Sequence, residues 1–203
     1  MRKSSTNIAT QTAAAATISG HLFRASLIAK HLALAAKNSR AMVLRAGEKA
    51  AGLKVISDYF DELADKTINL SATINQKAIS ISRTSVRQWR TQTFLDRMDN
   101  SQTRLSGNKA QQLNPSIEDG QHYLTKLINA LRSELGELND LLADIRQYMQ
   151  SSNVVAVTFK LEATQTGEFQ PLLEDMAKKI DNHSNDIKYH ITTSQNQLAQ
   201  FQI

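Results

Sequence analysis

The sequence predicts an all-α protein: an elongated antiparallel four-helix bundle (coiled coil) built from two tandem helical hairpins. Three observations lead there. Apolar residues recur at steps of three and four along four long stretches, the spacing that lays a stripe down one side of a helix. Only three breaks separate those stretches. The 203 residues also include just seven glycines, two prolines and 5% aromatics, poor material for the turns and packed faces of a β-sandwich or barrel. A chain of this length can bury one continuous core.

The first helix is expected over residues 8–44, with Ile8, Ala15, Ile18, Leu22, Ala25, Ala29, Leu32, Ala36 and Val43 on one face. Many of these are small, which lets helix backbones approach closely and makes a thin bundle. A Gly-flanked break at 45–52 follows, and then an amphipathic helix over about 49–98. Its seam is read as Leu53, Ile56, Phe60, Leu63, Thr67, Leu70 and Ile74. Around Ser80–Arg83 the stripe loosens, and Val86, Trp89 and Phe94 continue it in a shifted register. That pattern reads as a stutter, with Trp89 as a core anchor. Residues 1–98 thus form the first hairpin.

Residues 99–116, rich in Asn and Ser with Gly107 and an Asn114-Pro115 step, read as a linker. Pro115 suits the first turn of a new helix, and Ser116 with Asp119 spells a capping box. The second hairpin occupies 117–203 within the same bundle. Its first helix carries Leu124, Ile128, Leu131, Leu135, Leu138, Leu142, Ile145, Met149, Ser152, Ala156 and Phe159 at alternating steps of four and three. A break at 161–168 precedes the last helix, with Pro171 in its first turn and Leu173, Met176, Ile180, Ile187, Ile191, Leu198 and Phe201 along its seam.

The hairpins resemble each other. A shift of 115 overlays Asn38 on Asn153, Ala41 on Ala156, Arg45 on Lys160 and Gly52 on Gly167. With a two-residue insertion at the second tip, Ile56 meets Leu173 and Leu63 meets Ile180. Tandem hairpins of this kind place both tips at one end of an up-down-up-down bundle. The linker lies at the other.

Arg83, Arg87, Arg90, Arg97 and Arg104 form a basic stripe, four of them at heptad spacing. One reading is a solvated flank pairing with Glu134, Glu137, Asp140 and Asp144 on the neighbouring helix. The other is a contact for phosphate or anionic lipid, a membrane surface being the lesser alternative. His183 and His190, one heptad apart, stand about 10 Å from each other along a helix, too far to share a metal. No nucleotide-binding glycine loop, nucleophile elbow or triad spacing occurs. The expectation is a non-enzyme with no catalytic residue, cofactor, metal or small-molecule substrate.

Cysteine is absent and the formal charge is +5, so no disulfide framework or thiolate site exists. The longest uncharged run, Ser4–Phe23, is studded with Ser, Thr and Gln, which excludes a membrane span. Met1-Arg2-Lys3 suits the start of an export signal, but Ser4-Ser5-Thr6-Asn7 and Gln11 interrupt the apolar core such a signal needs. A cytoplasmic protein is expected.

The first tip carries a family spelling: Asn38, Arg45, Ala46-Gly47-Glu48, Gly52, Val55-Ile56 and Leu63-Ala64-Asp65-Lys66-Thr67, ungapped over about thirty residues. It resembles the cytoplasmic signalling hairpin of methyl-accepting chemotaxis proteins. That resemblance implies a chemoreceptor-like signal-transduction module. Asn38, Arg45 and Val55 would be contacts between receptor tips, and Glu48 would be part of the surface near the chemotaxis histidine kinase and its coupling protein. Met42 stands where the family carries a Glu of the same contact set. In the second hairpin Asn153 matches, whereas Val157, Lys160 and Ala163 occupy the other positions. Two other functions stand beside it: a sensory or ligand-binding bundle, with Ser152 and His183 converging, and a basic scaffold binding anionic partners, nucleic acid or a membrane surface, through the Arg stripe.

Overall fold

The computed structural model describes the backbone of residues 2–105 and 108–199, with the side chains of that set apart from 2–12, 15 and 108. Ile8, Ala15, Gly107 and Phe201, named above, lie outside the described side chains. Four long helices pack together: α1 (Arg2–Ala46), α2 (Leu53–Arg104), α4 (Asn114–Ala163) and α5 (Gln170–Leu198). A single helical turn, α3 (Asn108–Gln111), sits in the connection between the hairpins. No strand occurs among the described residues. Helix α1 packs along α2 and α5, and α4 packs along the same two. The four therefore close a ring in which α1 lies diagonal to α4 and α2 to α5.

Each helix buries a seam at alternating steps of four and three. In α1 it runs Ile18, Leu22, Ala25, Ala29, Leu32, Ala36, Ser39, Val43, Ala46, and in α4 from Leu138 through Ile145 and Met149 to Phe159 and Ala163. In α2 the buried set is Leu53, Ser57, Phe60, Ala64, Thr67, Ser71, Ile74, Ala78, Ile81, Ser85, ending at Leu95. This corrects the expected seam at every second position. Leu63 is also buried, but Ile56 and Leu70 are half-buried, flanking a central line of Ser57, Ala64 and Ser71. Small residues win that line because an α2 backbone crowded by two neighbours leaves little room at its centre. In α5, Ala177 takes the buried place expected of Met176 for the same reason.

Four further expectations are overturned. The four–three stepping of α2 passes through Ser85, Gln88 and Gln92 to Leu95 without interruption, so there is no stutter. Trp89 is 45% exposed and Phe94 44% exposed; neither anchors the core. The linker is shorter than 99–116, because α2 continues to Arg104 and α4 starts at Asn114 with Pro115 in its first turn. Leu113 is the capping residue just before α4 and makes no side-chain cap, so Ser116 and Asp119 form no capping box.

The internal repeat is stronger than the sequence indicates, and its register differs. At a constant offset of 120 (Gly47 to Gly167 at the tips), every seam position of α1 from Ile18 to Ala46 meets a buried position of α4 or the turn just after it, Leu138 to Thr166. The same offset carries Leu53–Ile74 of α2 onto Leu173–Ser194 of α5 with no insertion. Gly52 therefore does not correspond to Gly167.

Candidate functional site at the paired hairpin tips

Both hairpins turn at one end of the bundle. In each, a glycine in the left-handed region opens a 3-10 turn: Gly47 at φ 58° before Gly47–Ala50, and Gly167 at φ 62° before Gly167–Phe169. An L-residue at that φ crowds its Cβ against the following carbonyl, so both reversals depend on glycine. Gly52, by contrast, has ordinary helical φ −62°. Its bareness serves another end: a Cβ there would stand 3.0 Å from a carboxylate oxygen of Glu162. The second tip is further closed by its own hydroxyls, Thr164 donating to Leu161 O at 2.7 Å and Thr166 to Ala163 O at 2.6 Å.

The tips are joined to each other. Lys49 Nζ lies 2.8 Å from Glu168 Oε1 and 6.0 Å from the centre of the Phe169 ring. The Lys49 ammonium holds the Glu168 carboxyl below the usual carboxylate range. Both side chains are exposed, so the pair orients more than it stabilises. Just beneath the tip, Arg40 bridges Asp58 at 2.9 Å and Asp61 at 3.0 Å, pinning α1 to α2. Ala46, Ala50, Ala163 and Thr166 seal the interior.

Outside that seal stand most of the residues singled out by the family spelling. Asn38, Arg45 and Glu48 are exposed, and Val55 is 78% exposed in the first turn of α2. Met42 departs from the set: it is half-buried against the core, so it offers a partner little surface. Sequence reasoning missed a further feature of this end. Leu44, Val55, Leu161 and Leu172 are all exposed, one from the tip-proximal turns of each helix. They interrupt the heptad pattern as outward apolar residues at the ends of seams, a signal readable once the seams are assigned.

At the far end, Arg83, Arg87, Arg90, Arg97 and Arg104 are all exposed on α2. Among the described residues none of them forms an ion pair. Two of the four expected acidic partners are engaged elsewhere: Glu137 with Lys77, and Glu134 accepting from Ser80 Oγ at 2.6 Å. Lys77 and Glu137 shift each other in the sense of a pair, Lys77 up and Glu137 down, chiefly through their hydrogen bond. Arg90, Phe94, Gly120 and Tyr123 line an open surface groove of about 490 Å³ beside this stripe.

Ser152 and His183 do not converge on a pocket. Ser152 Oγ lies 2.7 Å from Ser184 Oγ inside the seam, while His183 stacks edge-on against His31 with ring centres 5.9 Å apart. His190 meets His21, Nδ1 to Nδ1, at 2.9 Å. These two α1–α5 histidine pairs were invisible to spacing along one helix, because each needs a partner from the other hairpin. No described helix is long and apolar enough to cross a membrane. No family model, curated protein or solved structure matches the chain.

Proposed function

We propose that the protein is a non-enzymatic, cytoplasmic signal-transduction module that binds a protein partner through its paired hairpin tips. The observation that carries this reading is the tip end itself. Two reversals stand side by side, tied by Lys49–Glu168, with Arg45, Glu48 and Val55 projecting into solvent. Charges fixed at a bundle end add little to folding but select a partner through paired hydrogen bonds. Exposed aliphatics between them supply the apolar contact that a protein interface needs. The resemblance of the first tip names the partner class: the chemotaxis histidine kinase with its coupling protein, or chemoreceptor tips. One chain supplying both hairpins would replace the dimer that such receptors use.

The test is a pull-down of the chemotaxis kinase–coupling-protein complex with the wild-type chain and with Arg45→Ala/Glu48→Ala. The expected result is capture by the wild type, loss of roughly tenfold or more in the double variant, and an unchanged melting temperature. Absence of capture by the wild type would reject this partner class. Equal capture by both proteins would move the contact away from the tip.

A further inference from the structure

His21 directly precedes the seam residue Leu22, and His190 directly precedes Ile191. Both therefore occupy a flank position where the antiparallel α1 and α5 meet. Their rings are tilted by 48° with centres 5.1 Å apart, and the two Nδ1 atoms stand 2.9 Å from each other. Both imidazoles are half-buried, so water reaches them. We propose that His21 and His190 form a chelating site for a divalent transition ion that prefers tetragonal coordination, Cu(II) or Ni(II), clipped across the α1–α5 seam.

The nitrogen separation suits one ion class. Imidazole nitrogens sit about 2.0–2.1 Å from a bound divalent ion. Two of them separated by 2.9 Å subtend an angle of about 90° at such an ion, the cis edge of a square-planar or octahedral shell. A tetrahedral zinc centre needs the nitrogens about 3.3 Å apart. Among the described residues no cluster of three His, Cys, Asp or Glu ligands occurs. The protein thus supplies two ligands and water fills the remaining positions.

Without an ion, the same short contact is an N–H···N hydrogen bond: one ring donates from Nδ1 and the other accepts. With ring centres 5.1 Å apart the two rings now face each other nearly head-on; on binding, the donating ring moves its proton from Nδ1 to Nε2 and both rings turn so that their Nδ1 lone pairs converge on the metal. No proton is lost from the neutral pair, whereas a protonated pair must release one, so affinity falls in acid. The second pair is an internal control. His31 and His183 lie edge to face at 82° with ring centres 5.9 Å apart, not nitrogen to nitrogen.

The experiment is Cu(II) titration of the full chain by calorimetry and electron paramagnetic resonance, on wild type, His21→Ala, His190→Ala, His190→Gln and His183→Ala. Circular dichroism confirms that each variant retains its helix content. The expected result is one tight ion per chain with two equivalent nitrogen couplings. His21→Ala and both His190 variants should weaken binding by at least roughly tenfold, since even an outer-shell partner is worth that much. His183→Ala should bind as wild type. The ion should also raise the wild-type melting temperature by about 5 °C or more at a hundredfold excess over Kd. Unchanged affinity in the His190 variants, fewer than two nitrogen couplings, or an equal loss in His183→Ala would each overturn the assignment.

Discussion

Hairpin 1 (α1 and α2) and hairpin 2 (α4 and α5) bury equivalent seam positions, several of them with side chains of very different size. Where α1 places Ala25 and Ala29, α4 places Ile145 and Met149; Leu32 corresponds to Ser152, and Ser39 to Phe159. Because α1 and α4 are diagonal in the ring, a bulky residue on one faces room left by a small one on the other. Close packing constrains the summed volume of a level, not the residue at each position. Polar atoms divide unevenly as well. The buried hydroxyls of Ser39, Ser57, Ser71 and Ser85 in hairpin 1 have no partner. In hairpin 2, Ser152 and Ser184 bond each other, and Ser194 donates to His190 O at 2.9 Å. Hairpin 2 is the better-satisfied half.

The sharpest way to break this picture is a charge in a seam. Leu138→Asp puts an unpaired carboxylate where the native side chain is 1% exposed. Such a change should cost about 3–5 kcal/mol, lowering the melting temperature by about 10 °C or more. Arg97→Ala, on the exposed flank, should cost less than about 0.5 kcal/mol. Equal losses in the two would mean the seam is misplaced.

Volume complementarity has its own test in Met149→Ala and Ala29→Met. The first should cost about 2–4 kcal/mol through its cavity, and the second about 1–3 kcal/mol by overpacking. The double variant should recover at least about 1 kcal/mol of their sum. Strict additivity would show that these equivalents do not share a level.

Acid should act on the seam between the hairpins. Burial first, and then the facing His31, hold His183 below the ordinary histidine value, with Asp186 opposing. Burial, His21 and Arg24 do the same to His190, again against Asp186. Folded-state values below the unfolded one mean that the unfolded chain binds more protons. Stability is therefore full above about pH 6.5 and falls as pH drops toward the lowered folded values. Melting curves between pH 7.5 and 5.5 should show this decline, and His183→Ala/His190→Ala should flatten it. An unaltered slope in that variant would place the titrating groups elsewhere.

The smallest expected effect concerns the hydroxyls. Ser57→Ala and Ser71→Ala each remove an unpartnered buried oxygen and should be neutral or stabilising by up to about 1 kcal/mol. Ser184→Ala strands Ser152 and should destabilise by about 1 kcal/mol. Denaturant midpoints that move the same way in all three would erase the difference between the hairpins.

The helices and their order were legible in the sequence because runs such as Leu138, Leu142, Ile145 and Met149 are apolar at every step. The central line of α2 was not. Ser57, Ala64 and Ser71 carry no hydrophobic signal, so Ile56 and Leu70 beside them took their place in the pattern. Trp89 misled because Val86, Trp89 and Phe94 mimic a shifted stripe, whereas the seam runs on through the polar Gln88 and Gln92, which carry no hydrophobic signal. The 120-residue register was hidden because matches such as Leu22 with Leu142 and Leu53 with Leu173 are interleaved with pairs as unlike as Ala29 with Met149 and Ser39 with Phe159. Of the tip, Asn38, Arg45, Glu48 and Val55 were legible as outward-facing residues. Met42 was not, since its burial depends on a helix elsewhere in the chain. The histidine pairs depend on tertiary structure altogether.

Ring closure sets an order of assembly. Contacts inside the hairpins join residues as near as 18 apart, as Arg40 with Asp58, or 32 apart, as Ser152 with Ser184. The α1–α5 seam joins His21 to His190, 169 residues apart. Chain entropy makes that closure about 2 kcal/mol costlier than the shortest. Each hairpin therefore zips before the ring shuts, and for a time hairpin 1 stands with its seam open. A second chain can fill that opening with its own hairpin 2, trading the intramolecular search for an encounter. Refolding at rising protein concentration should therefore divert molecules into an exchanged dimer, hinged at the short connection between α2 and α4, which size-exclusion chromatography of the refolded protein would detect.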